Sequence, residues 1–277
     1  MFQRLLPIIS GSLRRAPFIG ILLLAALLLS PHPAPAQDTD AAVIANQKKA
    51  RELLDQMVQA LGGNAWITMK LRYTEGRRTA FYHGNPTGGI VDSFEYHVFP
   101  DQDCIQFTKK KDVVTIITGQ QGWEITYRGK RDLPKDQLES ALRRRDHSVE
   151  VAIKVWLKDP RTILFYDGQR TVQRHLADKV RIVNFENDSI TIEMDAESHL
   201  PVRRTFQWRD PLYKDKNETS EEYDDYHTID GFPTPFTITD YENGEMIGQR
   251  FLFKSSYNTS LPPDIFNPDA TAAKIKK

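Results

Sequence analysis

Cysteine is almost absent from this chain of 277 residues: Cys104 stands alone. A single cysteine excludes an internal disulfide, so packing and hydrogen bonds must hold the fold. Cys104 lies in the strand-like run Cys104–Phe107, with no nearby feature that would lower a thiol pKa, and reads as a small buried filler. Long apolar runs are also scarce. The run Phe18–Leu29 has 12 residues, short of the roughly 20 that carry a helix across a bilayer core.

Charge of one sign is missing too, with 37 basic and 37 acidic side chains. Nucleic-acid binding usually needs a clustered basic excess, and none is present. The short run Arg143-Arg144-Arg145 reads as a solvated helix face rather than a binding patch. Motifs of catalysis and metal binding are absent as well. There is no HExxH, HxH, CxxC, G-x-S-x-G, S-x-x-K or phosphate loop. The seven histidines come no closer than 14 positions apart. The expectation is therefore no catalytic residue, no metal and no cofactor. The one acidic cluster, Glu221, Glu222, Asp224 and Asp225 beside His227, is read first as an edge or surface strand with charge against aggregation. Asp224 and Asp225 would point to opposite faces of a strand, so they could not simply serve one site.

What is present begins with a leader. Arg4, Arg14 and Arg15 precede Phe18–Leu29, and a Pro-rich stretch ends in Ala34-Pro35-Ala36. A basic start, a short apolar core and an A-x-A-like site predict a secretory signal peptide over 1–36, cleaved after Ala36. The leader holds three arginines and no acid, so residues 37–277 keep 34 basic and 37 acidic side chains, a balance of −3. They are expected to form a single periplasmic domain.

Ala50, Leu54, Met57, Val58 and Leu61 recur at helical spacing and predict a helix over about 41–61, stopped by Gly62-Gly63. Beyond it the period is two. Strand patterns run consecutively from Thr68 to Tyr257, broken by helical segments near Pro134–Leu142 and Val149–Leu157. Asn243-Gly244 marks a hairpin turn between the last two strands. The tail from Pro262 is expected to be extended and frayed past Thr271. Ten to twelve consecutive strands imply one antiparallel sheet, and so many strands in one sheet should curl or close. The expected fold class is mainly β with helices (α+β): a large curved antiparallel sheet forming an unclosed half β-barrel, its helices a lid over the concave face.

Aromatic residues recur on nearly every strand. They suit an ordinary core, and they equally suit a lined hydrophobic cavity. Burying a 16-carbon acyl chain would contribute roughly 12 kcal/mol at about 0.8 kcal/mol per CH₂. The candidate cavity residues are Phe94, Tyr96, Phe107, Trp123, Phe206, Trp208, Phe251 and Phe253, with Lys135–Leu157 as the lid.

Several short motifs carry a resemblance: Ala60-Leu61-Gly62-Gly63, the Gly122-Trp123 turn, Tyr223-Asp-Asp-Tyr226, Gly231-Phe232-Pro233 with Pro235, and Asp264-Ile265-Phe266 with Pro268. With the leader and the meandering strands, they make the chain similar to the LolA/LolB-like outer-membrane lipoprotein-sorting superfamily over most of 41–268. That resemblance implies an unclosed barrel with a helical lid and carriage of lipid or lipoprotein acyl chains across the periplasm. Envelope proteins of the inner or outer membrane are further expected partners, and the protein is expected to be a monomer. Two other readings stand beside it: an envelope stress sensor or protein-interaction module of the same fold, and a hydrolase with a dispersed site around His227 and Asp225.

Overall fold

The last two long strands illustrate how local chemistry builds the sheet. Asn243 and Gly244 adopt φ of 51° and 81°, the positive angles that a two-residue hairpin loop requires. They join β13 (Phe232–Glu242) to β14 (Glu245–Tyr257). The computed structural model describes residues 36–276. The expected leader lies outside the described residues except for Ala36. The described residues from Ala42 onward form one compact unit.

The chain opens with α1 (Ala36–Ala60) and α2 (Asn64–Thr68). Strands β1 (Leu71–Tyr82), β2 (Asn85–Pro86), β3 (Val91–Val98), β4 (Gln102–Phe107), β5 (Val113–Thr118), β6 (Gln121–Thr126) and β7 (Gly129–Asp132) follow. The lid segment holds α3 (Lys135–Asp146), α4 (Val149–Lys154) and a 3-10 turn at Trp156–Lys158. Then come β8 (Ile163–Val172), β9 (His175–Val183), β10 (Ser189–Asp195), β11 (Pro201–Arg209), β12 (Lys216–Ile229), β13, β14 and α5 (Pro268–Ile275).

All fourteen strands belong to one antiparallel sheet in the order β7-β6-β5-β4-β3-β1-β14-β13-β12-β11-β10-β9-β8, with short β2 paired to β1. β7 and β8 are its edges and do not pair, so the sheet is open, as the strand pattern predicts. Within the sheet β1 pairs with β14, which sets the first meander beside the second.

The apolar stripe of α1 covers one end of the concave face. Ala50, Leu53, Leu54 and Met57, each 1% exposed or less, pack with Leu164, Val180, Ile182, Ile190, Ile192 and Met194 of β8–β10. Val149, Ala152 and Ile153 of α4 join the same cluster. Asn46 of α1 also pairs with the free edge of β8. Its amide donates to the Tyr166 carbonyl at 2.8 Å and its side-chain oxygen accepts from the Tyr166 N–H at 2.9 Å, covering ladder groups that would otherwise invite another strand.

The tail departs from the expected frayed extension. Asn267 caps the Asp269 and Ala270 N–H groups, Pro268 occupies the first turn, and α5 forms. Ile265, Phe266, Ala272 and Ile275 cover Cys104, Val114, Ile116, Trp123 and Ile125 on the face opposite the lid. Cys104 is fully buried there, and burial with nearby Asp103 pushes its thiol up to about 12, which makes it inert.

Candidate functional site

The lid crosses the concave face and is tied to the sheet by its polar atoms. Arg145 donates from Nη1 to the carbonyls of Asp101 (3.3 Å) and Gly119 (2.9 Å). Arg72 of β1 pairs with Glu150 of α4 at 2.9 Å. Arg204 of β11 donates from Nη1 to the His147 carbonyl at 2.9 Å, between the two lid helices. Lys154 donates to the Met69 carbonyl at 3.0 Å, with the Trp66 and Phe99 rings 4.7 and 5.0 Å from its ammonium. Close approach at the other end depends on Gly122 of β6, where an added Cβ would lie 2.9 Å from the Leu138 side chain of α3.

Between lid and sheet lies a cavity of about 590 Å³. Small-ligand sites commonly occupy roughly 300–1,000 Å³. Its walls combine apolar side chains with charge. Ile105, Phe107, Ile117, Leu142, Ile238 and Leu252 are among the apolar ones, while six arginines and five carboxylates also border it. Ala80, Thr87 and Gly89, near the β1–β2–β3 turns, border it and are exposed, so the cavity opens at that end.

Its floor is a charge network built from six adjacent strands, β3-β1-β14-β13-β12-β11. Glu221 of β12 accepts from Arg204 Nε at 2.9 Å and from the Tyr223 hydroxyl at 2.6 Å. Arg250 of β14 bonds Glu221 closely and reaches Asp240 of β13 at 3.3 Å. Arg78 of β1 meets Glu95 of β3 at 3.1 Å. Burial pushes the Glu221 carboxyl up, but Arg204 and Arg250 outweigh it and hold the carboxyl well below the ordinary range. Asp240 goes the other way: burial raises it, Arg250 only partly offsets this, and the like charge of Glu221 adds to the rise.

These opposite shifts set a pH dependence. Glu95 and Glu150 are also lowered: burial raises each, and the charge of Arg78 or Arg72 more than reverses it. Carboxyls lowered by folding contribute stability above their unfolded pKa of about 4.3, lost as pH falls through the folded value. Asp240 opposes them, because a raised carboxyl contributes below about pH 3.9 and loses that contribution as pH rises. Urea midpoints should therefore fall below about pH 4. Asp240→Asn should compare more favourably with the parent at neutral pH than in acid. A midpoint flat with pH would refute this assignment.

The cavity takes in few of the aromatics expected to line it. Phe107 does line it, 5.6 Å from Arg78. Tyr96 borders it, but its ring packs on Tyr73 at 4.5 Å and on the cluster beneath α5. Phe206 and Trp208 sit below the lid rather than in open space. Phe206 stacks on His147 at 4.2 Å, and the Arg143 guanidinium lies 3.8 Å over the Trp208 ring. Phe94, Trp123, Phe251 and Phe253 are on the opposite face. Phe94 lies against Lys111 and Trp123 under α5, while Phe251 and Phe253 are 41% and 58% exposed.

The physical reason for Phe251 and Phe253 is irregular register. Bulges lie where β14 faces Asp240/Tyr241 on one side and Glu75/Gly76 on the other. Each adds a residue and shifts the alternation, so Ile247, Arg250, Leu252 and Tyr257 border the cavity while Phe251 and Phe253 do not.

Two charged segments also differ from expectation. β12 is an interior strand between β11 and β13, so its acidic run guards no edge. Glu221 faces the cavity, and Glu222 is buried beyond the other face with Arg203, Gln173 and Tyr241. His227 and Asp225 pair at 3.1 Å, both exposed and away from the cavity. The three arginines of α3 are not a solvated face. Arg143 covers Trp208, Arg144 borders the cavity and Arg145 is held by carbonyls.

No family model matches the sequence, and no curated protein does. Solved structures do match. A DUF1329 family protein from Desulfovibrio piger superposes with a TM-score of 0.55 at 13% identity, covering 80% of this chain and 98% of that one. A domain assigned to outer-membrane lipoprotein sorting, from Vibrio parahaemolyticus, gives 0.52 at 10% identity, covering 82% and 100%. A LolA superfamily protein from Nitrosomonas europaea gives 0.50 at 9% identity, covering 80% and 98%. The fold is LolA-like. At these identities the likeness concerns the fold alone.

Proposed function

We propose that this protein is a periplasmic carrier that binds lipid or lipoprotein acyl chains in the cavity beneath its lid, without catalysing a reaction. The observation that carries this reading is the cavity of about 590 Å³ between the open sheet and α3–α4, apolar along much of its wall. Three features support it further: a leader-like N-terminus, a fold shared with a lipoprotein-sorting domain, and a lid secured by a few polar ties. Opening is expected at α3, which has no fully buried residue, whereas the apolar contacts of α1 and α4 keep the rest of the concave face filled. A bound acyl chain would stabilise the closed form by mass action.

The test is mass spectrometry of an organic extract of the protein purified from periplasm without detergent. A stoichiometric lipid or acylated peptide is expected. A clean extract from folded protein, together with no uptake of added lipid, would refute the carrier reading.

A further inference from the structure

Arg144 differs from every other arginine bordering the cavity. Arg72 and Arg78 each have a carboxylate partner, Arg145 has two carbonyls, and Arg204 and Arg250 share Glu221. Among the described residues Arg144 has no hydrogen bond and no ion pair, although α3 sets it at the cavity wall, mostly withdrawn from bulk water. Its five N–H donors are unused by the protein. Across the cavity, Arg250 has a second unused donor. Its Nε is buried with no partner, while its Nη2 serves Glu221 and Asp240.

The local charge count agrees with this geometry. Arg144, Arg204 and Arg250 face Glu221 and Asp240, leaving one positive charge in excess. The excess grows when Asp240 holds its proton, as its upward shift favours. A withdrawn positive charge without a partner is costly, and an anion in the same space relieves that cost. Beside these donors run the apolar side chains of Leu142, Ile238 and Leu252.

We infer that the cavity takes an amphiphile with one acidic head, a carboxylate or phosphate monoester, held by Arg144 and the Nε of Arg250 while its acyl tail follows the apolar wall. This rests on the lipid-binding reading and narrows it: neutral acyl esters should bind less well than acids of the same chain length. Guanidinium binds either oxyanion through paired N–H bonds, so both heads fit the same donors.

The test uses the full secreted protein and titrates palmitate, lysophosphatidate, methyl palmitate and inorganic phosphate by displacement of a fluorescent fatty acid and by calorimetry. The two acidic lipids should bind roughly 10–100-fold more tightly than the ester, the range of one or two charge-assisted hydrogen bonds. Arg144→Gln should remove most of that preference, weakening acid binding far more than ester binding. The side chain has no hydrogen-bond partner in the fold, so the variant should keep the parent's urea midpoint or raise it, and Arg144→Lys should restore part of the preference. Inorganic phosphate bound as tightly as lysophosphatidate would show a free-anion site and overturn the amphiphile. Equal binding of acid and ester by the parent, or an unchanged preference in Arg144→Gln, would overturn the headgroup site and leave the carrier reading intact. Binding of none of the lipids would overturn both.

Discussion

Glu221→Gln is expected to destabilise the protein by about 3–5 kcal/mol, the usual cost of removing one partner from a buried ion pair. Glu221 is the one acceptor shared by Arg204, Arg250 and Tyr223, and its side chain is 12% exposed. Glutamine keeps the shape and removes the charge. Two arginines would then face the cavity floor with Asp240 as the nearby acid, whose ionisation burial still opposes once the like charge of Glu221 is gone. The effect should reach the lid, because Arg204 also holds the His147 carbonyl. Urea unfolding supplies the stability change, and hydrogen exchange at residues 143–150 should rise with it. Replacing Glu221, Arg204 and Arg250 by leucines together with Asp240→Asn should cost less than the single change, since neither arginine nor acid of this network is then left as an unpaired charge. A Glu221→Gln midpoint close to the parent's would show that water already solvates this network.

That network marks the boundary of what the sequence makes legible. The consecutive strands, the antiparallel sheet, the lid helices and the Asn243-Gly244 turn follow from period, propensity and turn chemistry, which are local, whereas the pairing of β1 with β14 does not. The floor is assembled from β1, β3, β11, β12, β13 and β14, and no short window holds two of its ion-pair partners. Hydrophobic alternation misleads in β14 because two bulges rephase the strand, leaving Phe251 and Phe253 outside. Glu221 and Glu222 read as surface charge because adjacent acids suggest a solvated strand. In the sheet they point to opposite faces, and each meets arginines there. Helix α5 was hidden by the prolines before it, although Asn267-Pro268-Asp269 is itself a helix-start pattern. The run Arg143-Arg144-Arg145 offered the one local signal of the site: three successive positions on a helix cannot all face solvent once the helix is a lid.

Filling the cavity should abolish acyl-chain uptake, and Ala141→Trp is the change suited to do so. Ala141 borders the cavity from α3, next to Leu142, and is partly buried. An indole there would project into the open volume instead of a packed core. Its cost in stability should stay within the roughly 1–3 kcal/mol of overpacking, below the cost of breaking the floor network. Uptake of a fluorescent fatty acid should fall beyond detection while the circular dichroism of the fold is kept. The control is Phe251→Asp with Phe253→Asp. Both side chains are exposed on the other side of the sheet, and Phe253 has only the Arg77 guanidinium at 5.4 Å over its ring. The double change should cost about 1 kcal/mol or less and leave uptake intact. The opposite pattern, with uptake kept in Ala141→Trp and lost in the double variant, would move the binding surface to the outer face. It would also separate the site from the lid, since the arginine and carbonyl ties of α3 and α4 all lie on the concave side.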